Sequence, residues 1–153
     1  MPVQVVIDGE TIPVAIPVGE ALVPRELRAA LGAPAAPTDA TFVTVPLIDL
    51  AWARSGDKGD SCNVGVIGRS PPLVEFLRGT LTADRVRDYL AHLVKGKVTR
   101  FEVPGIGAFN FLLEQALGGG GMASLRNDPW GKGMAQILLT MPMRVPGSLV
   151  PAP

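Results

Sequence analysis

Two kinds of hydrophobic spacing alternate along this chain of 153 residues. β-Branched runs at 3–7 and 11–16 flank Asp8-Gly9, a dipeptide that supplies the positive φ angles of a tight primed turn, so a β-hairpin is predicted. Pro13 and Pro17 confine that hairpin to an edge position. Residues 23–31 read as one short helix, with Pro24 in its first turn and Gly32 at its end. Ala33-Pro34-Ala35-Ala36-Pro37 has nothing to bury and reads as a linker. Residues 1–40 therefore form an appendage, and 41–150 form the main domain.

The main domain opens with an apolar, β-branched stretch at 42–52 that Pro46 interrupts. A polar loop at 54–61 leads to a strand at 63–67, and 71–77 reads as helical. Thr82 caps a helix expected over 82–95. Val86, Tyr89, Leu90, Leu93 and Val94 share one face there, and Gly96 closes it. A strand at 98–103 stops at Pro104-Gly105. A further helix is expected over 107–117, with Phe109, Leu112, Leu113, Ala116 and Leu117 on one side. A glycine-rich loop and a closing strand at 135–145 complete the chain. The pattern predicts an α+β fold, a small sheet with the helices at 82–95 and 107–117 on one face.

Composition narrows the class. Lysine plus arginine is 14 and aspartate plus glutamate is 14, so the formal charge is zero and the attraction to polyphosphate expected of a nucleic-acid binder is missing. Charged residues are 18% against 47% hydrophobic, which points to an apolar surface turned toward another subunit. Eighteen glycines and fifteen prolines imply many turns. The lone cysteine, Cys62, cannot form an internal disulfide, so a reducing, cytoplasmic setting is expected. No apolar run is long enough for a membrane span and no secretory leader is evident, so no membrane partner is expected.

Three segments are candidates for chemistry. The first is Arg54-Ser55-Gly56-Asp57-Lys58-Gly59-Asp60-Ser61-Cys62-Asn63. Its glycines permit close approach, its cations suit an anion, and its aspartates suit acid–base or orienting roles. A loop that satisfies its own backbone explains the same residues equally well. It is neither a P-loop nor an EF-hand, because the required spacings are absent. The second runs over 118–133, where four glycines expose a row of N–H groups and Ser124, Arg126, Asp128 and Lys132 add donors and charge. The third is 104–111, with Asn110 and Phe111 off the apolar stripe of the expected helix. His92 reads as a solvated partner of Asp88 four residues earlier. No metal-ligand set and no nucleophilic triad can be assembled, so no metal or other cofactor is predicted.

At these segments the sequence resembles the acyclic terpene utilisation (AtuA-like) family, in its small ferredoxin-fold domain. The resemblance rests on 54–61 with Asn63-Val64-Gly65-Val66, on Leu81-Thr82, and on the aromatic strand ending at Pro104-Gly105. It continues through Ala108-Phe109-Asn110-Phe111, Leu117-Gly118-Gly119-Gly120, and Ser124-Leu125-Arg126 with Asp128, Gly131 and Lys132. It spans about 48–146; Cys62, where a small residue such as alanine is expected, and the proline-rich first 40 residues depart from it.

The resemblance implies a ferredoxin-like sandwich. It also implies a small subunit beside a larger AtuA-like α/β subunit in a hetero-oligomer, and hydration of branched or terpenoid unsaturated acyl-CoA esters. Coenzyme A thioester would then be the substrate. On that chemistry Asp57, Asp60 and Lys58 are the expected catalytic groups, the aspartates as acid and base. The amides of Gly119 to Gly121 are the expected oxyanion donors. Lys58, Arg126 and Lys132 would hold the carrier's negative charges. Arg54, Ser55, Ser61, Asn63, Asn110, Ser124 and Asp128 complete the expected substrate-binding set, and the two loops would meet at the subunit interface. Two alternatives stay open: the aspartate and arginine side chains merely pin the loops together, and the chain is a non-catalytic module that stabilises or regulates a larger partner.

Overall fold

The structure is a computed structural model that describes residues 3–14 and 41–150. The chain divides into two compact units, Met1–Leu31 and Gly32–Pro153. In the first, β1 (Val3–Ile7) pairs antiparallel with β2 (Glu10–Val14), with Ile7 opposite Glu10. Asp8 (φ 52°) and Gly9 (φ 83°) form the expected two-residue turn. The helix at 23–31 and the linker at 33–37 lie outside the described residues.

The second unit begins with β3 (Phe42–Pro46), then β4 (Ala51–Lys58) and β5 (Ser61–Gly68). Helices α1 (Pro71–Thr80) and α2 (Ala83–Tyr89) follow, then β6 (Val98–Val103) and β7 (Ala108–Leu113). The short helix α3 (Met134–Leu139) and β8 (Pro142–Pro146) end it. Four strands form one antiparallel sheet in the order β4-β5-β7-β6, while β3 and β8 pair separately. Since β5 and β6 are both antiparallel to β7, they run parallel to each other with α1 and α2 as the crossover. That is the split β-α-β unit of a ferredoxin-like sandwich.

Alternation along the strands sends Cys62, Val64, Val66, Phe109, Phe111 and Leu113 to one face, where Leu73, Leu77, Val86, Met134 and Leu138 of the three helices cover them. The expected α+β architecture with helices on one face is therefore present, but its elements differ from the periodicity reading at four places. The expected helix at 107–117 is the strand β7, inserted between β5 and β6. Its covered face is fully apolar and its other face half-buried, so the run mimics a helical stripe. The polar loop at 54–61 is mostly strand: β4 and β5 pair from Ala51↔Gly68 to Lys58↔Ser61, and only Gly59 and Asp60 turn. The expected closing strand at 135–145 splits into α3 and β8, separated at Thr140 and Met141. The Thr82 cap forms, its Oγ1 accepting from Arg85 N, but α2 stops at Tyr89 rather than 95.

Candidate functional site

Because 54–63 is a hairpin, its polar residues are sorted onto two faces. Ser55 and Asp57 point to the helix-covered face beside Cys62. Arg54, Gly56, Lys58, Ser61 and Asn63 point to the other, which no helix of the described residues covers. One sequence motif thus serves two separate surfaces.

On the covered side the residues are engaged within the chain. Ser55, only 6% exposed, donates from Oγ to Gly131 O at 2.6 Å and accepts from Ala135 N at 2.9 Å, clamping the start of α3 to β4. Asp128 accepts from Lys132 N and Gly133 N at 2.9 and 2.8 Å, the turn that leads into α3. Arg126 spends its guanidinium on the carbonyls of Leu93 and Ala116, and Ser124 Oγ accepts from Arg126 N. Asp60 Oδ1 accepts from Gly119 N at 2.7 Å, and its carbonyl accepts from Ala116 N and Leu117 N. Gly120 donates to Leu117 O, so two of the three expected oxyanion amides already have partners. The hairpin tip and the glycine-rich loop do come together, by contacts that pin one to the other. At Gly120 (φ 69°) the contact is so close that a Cβ would lie 2.1 Å from Gly59 O.

The uncovered face is different. Register aligns Trp52, Ile67, Ala108 and Val103 in one row, and Arg54, Gly65, Asn110 and Phe101 in the next. Gly56, Asn63, Leu112 and Thr99 form the third. Trp52 is 51% exposed with Arg69 stacked on its ring at 4.6 Å; Phe101 is 49% exposed and Ile67 39%. Asn63 Nδ2 donates to Asn110 Oδ1 at 3.2 Å, and Lys58 Nζ donates to Asn63 Oδ1 at 3.3 Å. Lys132 joins this side from the far surface. Its carbonyl accepts from Ser55 on the covered face, yet its Nζ reaches the space over Gly56 and stands 4.0 Å from Asp57 Oδ1. Helical periodicity over 107–117 hides the open face; Phe-x-Phe-x-Leu at 109–113 after a strand and a short Pro-Gly turn is the signal that finds it.

Cys62 is fully buried, and burial pushes its thiol up from 9.0 to about 11. It is a packing residue: a Cβ on Gly131 would lie 2.8 Å from Sγ. A thiol that ionises less readily when folded favours the fold fully below pH 9 and loses that contribution as pH rises toward 11. Urea midpoints are accordingly expected to fall over that interval, and Cys62→Ser to flatten the fall. Native protein at pH 8 should resist a thiol-alkylating reagent that labels it rapidly in urea.

His92 lies past the end of α2, where Asp88 pairs with Arg87 instead. It sits on the rim of an open depression of about 470 Å³ lined also by Leu93, Leu125, Arg126 and Ile137. Among the described residues no group of three or more His, Cys, Asp or Glu could hold a metal ion, and no helix is long and apolar enough to cross a membrane.

The family model of the AtuA ferredoxin-like domain matches residues 45–144, from the last residues of β3 into β8. The chain belongs to the AtuA ferredoxin-like domain family. No match to it is found among curated proteins or among solved structures. In this AtuA ferredoxin-like domain the family match covers the sheet, its three helices and both glycine-bearing segments, while β1 and β2 lie outside it.

Proposed function

We propose that this chain is the small subunit of a cytoplasmic AtuA-like acyl-CoA hydratase complex, acting on branched or terpenoid unsaturated acyl-CoA esters. Its own contribution is an interaction surface that completes a larger α/β subunit rather than a self-contained catalytic set. The observation that carries this reading is how the polar residues are employed. Asp60, Ser55, Arg126 and Asp128 hold the glycine-rich loop and α3 in place, while the uncovered sheet face leaves Trp52, Ile67 and Phe101 to solvent. Exposed aromatic residues on a flat face suit burial against a protein partner.

A second reading keeps a catalytic role for Asp57. It is favoured by one feature: the Asp57 carboxylate is only one-third exposed and makes no hydrogen bond among the described residues, its nearest charged partner being the Lys132 ammonium at 4.0 Å, which leaves it open to a substrate proton. Turnover of enoyl-CoA esters by the chain alone, the larger subunit alone and their mixture tests both. Activity confined to the larger subunit and raised on mixing is the expected result, and hydration by the isolated chain refutes the docking reading. Asp57→Asn is expected to leave the mixture's turnover unchanged. A loss on the order of a hundredfold with the complex intact would make Asp57 the acid–base group.

A further inference from the structure

Gly56 is the only residue in its row of β4 without a side chain to present, and its φ lies outside the left-handed region, so the backbone does not require glycine there. What the missing side chain leaves is a hollow. Where a Cβ would stand, the nearest atoms are Lys132 Nζ at 3.4 Å and Asn63 Oδ1 at 3.9 Å. Lys58 Nζ approaches the same Asn63 oxygen, and Arg54 lies two residues along on the same face. Beside Arg54 the floor continues at Gly65, whose Cβ position meets nothing nearer than Arg54 O at 3.8 Å.

Two ammonium groups therefore stand beside one glycine-floored hollow, with Arg54 two residues along on the same face. Among the described residues the only carboxylate within ion-pair distance of either lysine is Asp57, at the outer limit of a pair with Lys132. Bringing like charges together costs free energy that an anion would offset. The hydrogen-bond inventory points the same way. Asn63 orients Lys58 through its oxygen and Asn110 through its amide, which leaves the Asn110 NH2 group with no acceptor among the described residues. The acceptors beside the hollow, Asn63 Oδ1 and Asp57 O, both receive Lys58 Nζ, while Lys132 Nζ donates to no protein oxygen among the described residues.

We infer that this hollow binds a phosphate group carried by a small molecule, held by Lys58 and Lys132 and flanked by Arg54 and the Asn110 amide. A phosphate monoester suits the site better than a carboxylate, since it brings nearly two negative charges and three acceptor oxygens to the two lysine ammonium groups and the Asn110 amide. The inference stands on this chain's own residues and holds whether or not a larger subunit covers the face.

The full chain is titrated with inorganic phosphate, acetate and coenzyme A at constant ionic strength while backbone amide shifts are followed. Phosphate is expected to move Gly56, Lys58, Asn63 and Gly65 together. Lys132→Met and Gly56→Val, the latter filling the hollow with a residue suited to a strand, are each expected to weaken binding at least tenfold. Lys95→Met, at an exposed lysine whose Nζ bonds Ala91 O, should change nothing. Coenzyme A binding at the same amides more tightly than phosphate makes a phosphorylated carrier the source of the group; equal affinity makes it free phosphate. Should Gly56→Val perturb folding, Lys132→Met alone decides, because that residue's backbone bonds remain. Shifts scattered over many lysines, acetate binding as tight as phosphate, or Lys132→Met binding like the wild type overturns the inference. None of these readouts needs the larger subunit, so failure here and failure of docking are told apart.

Discussion

Replacing Gly120 by alanine is expected to destabilise the domain by about 3 kcal/mol and to lower its Tm by about 10 °C. Two costs add. The φ of 69° places a side-chain-bearing residue in the left-handed region, worth about 1 kcal/mol. The new Cβ would stand 2.1 Å from Gly59 O and 2.6 Å from Gly59 C, backbone atoms that cannot rotate away. Forcing those two backbones apart adds a further ~2 kcal/mol, in the range of overpacked cores. Gly59→Ala is the control. Its φ is 67° but nothing lies within 4 Å of its Cβ position, so only the ~1 kcal/mol conformational cost remains. Thermal unfolding of both variants checks the difference. Equal losses would mean that the loop does not sit on the hairpin tip.

Ser55→Ala is expected to cost about 2–3 kcal/mol, measured as a lower urea midpoint with an unchanged slope. The hydroxyl is the partner of two buried backbone groups, Gly131 O and Ala135 N, 76 and 80 residues away in sequence. Its removal strands both, and nothing polar replaces it. The loss should appear in the isolated chain without substrate. A variant as stable as the wild type but impaired in turnover would return Ser55 to substrate binding.

The parts of the fold that one residue decides locally were legible. Asp8-Gly9 set the first hairpin, Thr82 set the start of α2, and Pro104-Gly105 ended β6. What periodicity could not supply was the identity of short, nearly continuous apolar runs. The stretch 108–113 is buried on one face and half-buried on the other, so its spacing fits a helix as well as a central strand, and only its neighbours in space decide. The same reading hid one contact within the site. With β7 read as a helix, Asn110 had no reason to meet Asn63, although the two amides lie 3.2 Å apart across the sheet. Charge was misread for another reason. Arg126 looks like an anion ligand in sequence, but its guanidinium is held by backbone carbonyls that no helix or strand satisfies. By contrast, the meeting of the hairpin with the glycine-rich loop was foreseen, since both sit at strand ends and are too polar for the core.

The pairing of β3 with β8 sets Phe42 opposite Pro146, so the polypeptide enters and leaves this domain side by side. A unit whose two ends meet at one corner can be spliced into a host loop, or tied into a ring and reopened elsewhere, with only a few residues of spacer. Covalent fusion to another protein is therefore a matter of linker length, and the sheet face on the far side of its helices need not move when the point of fusion changes.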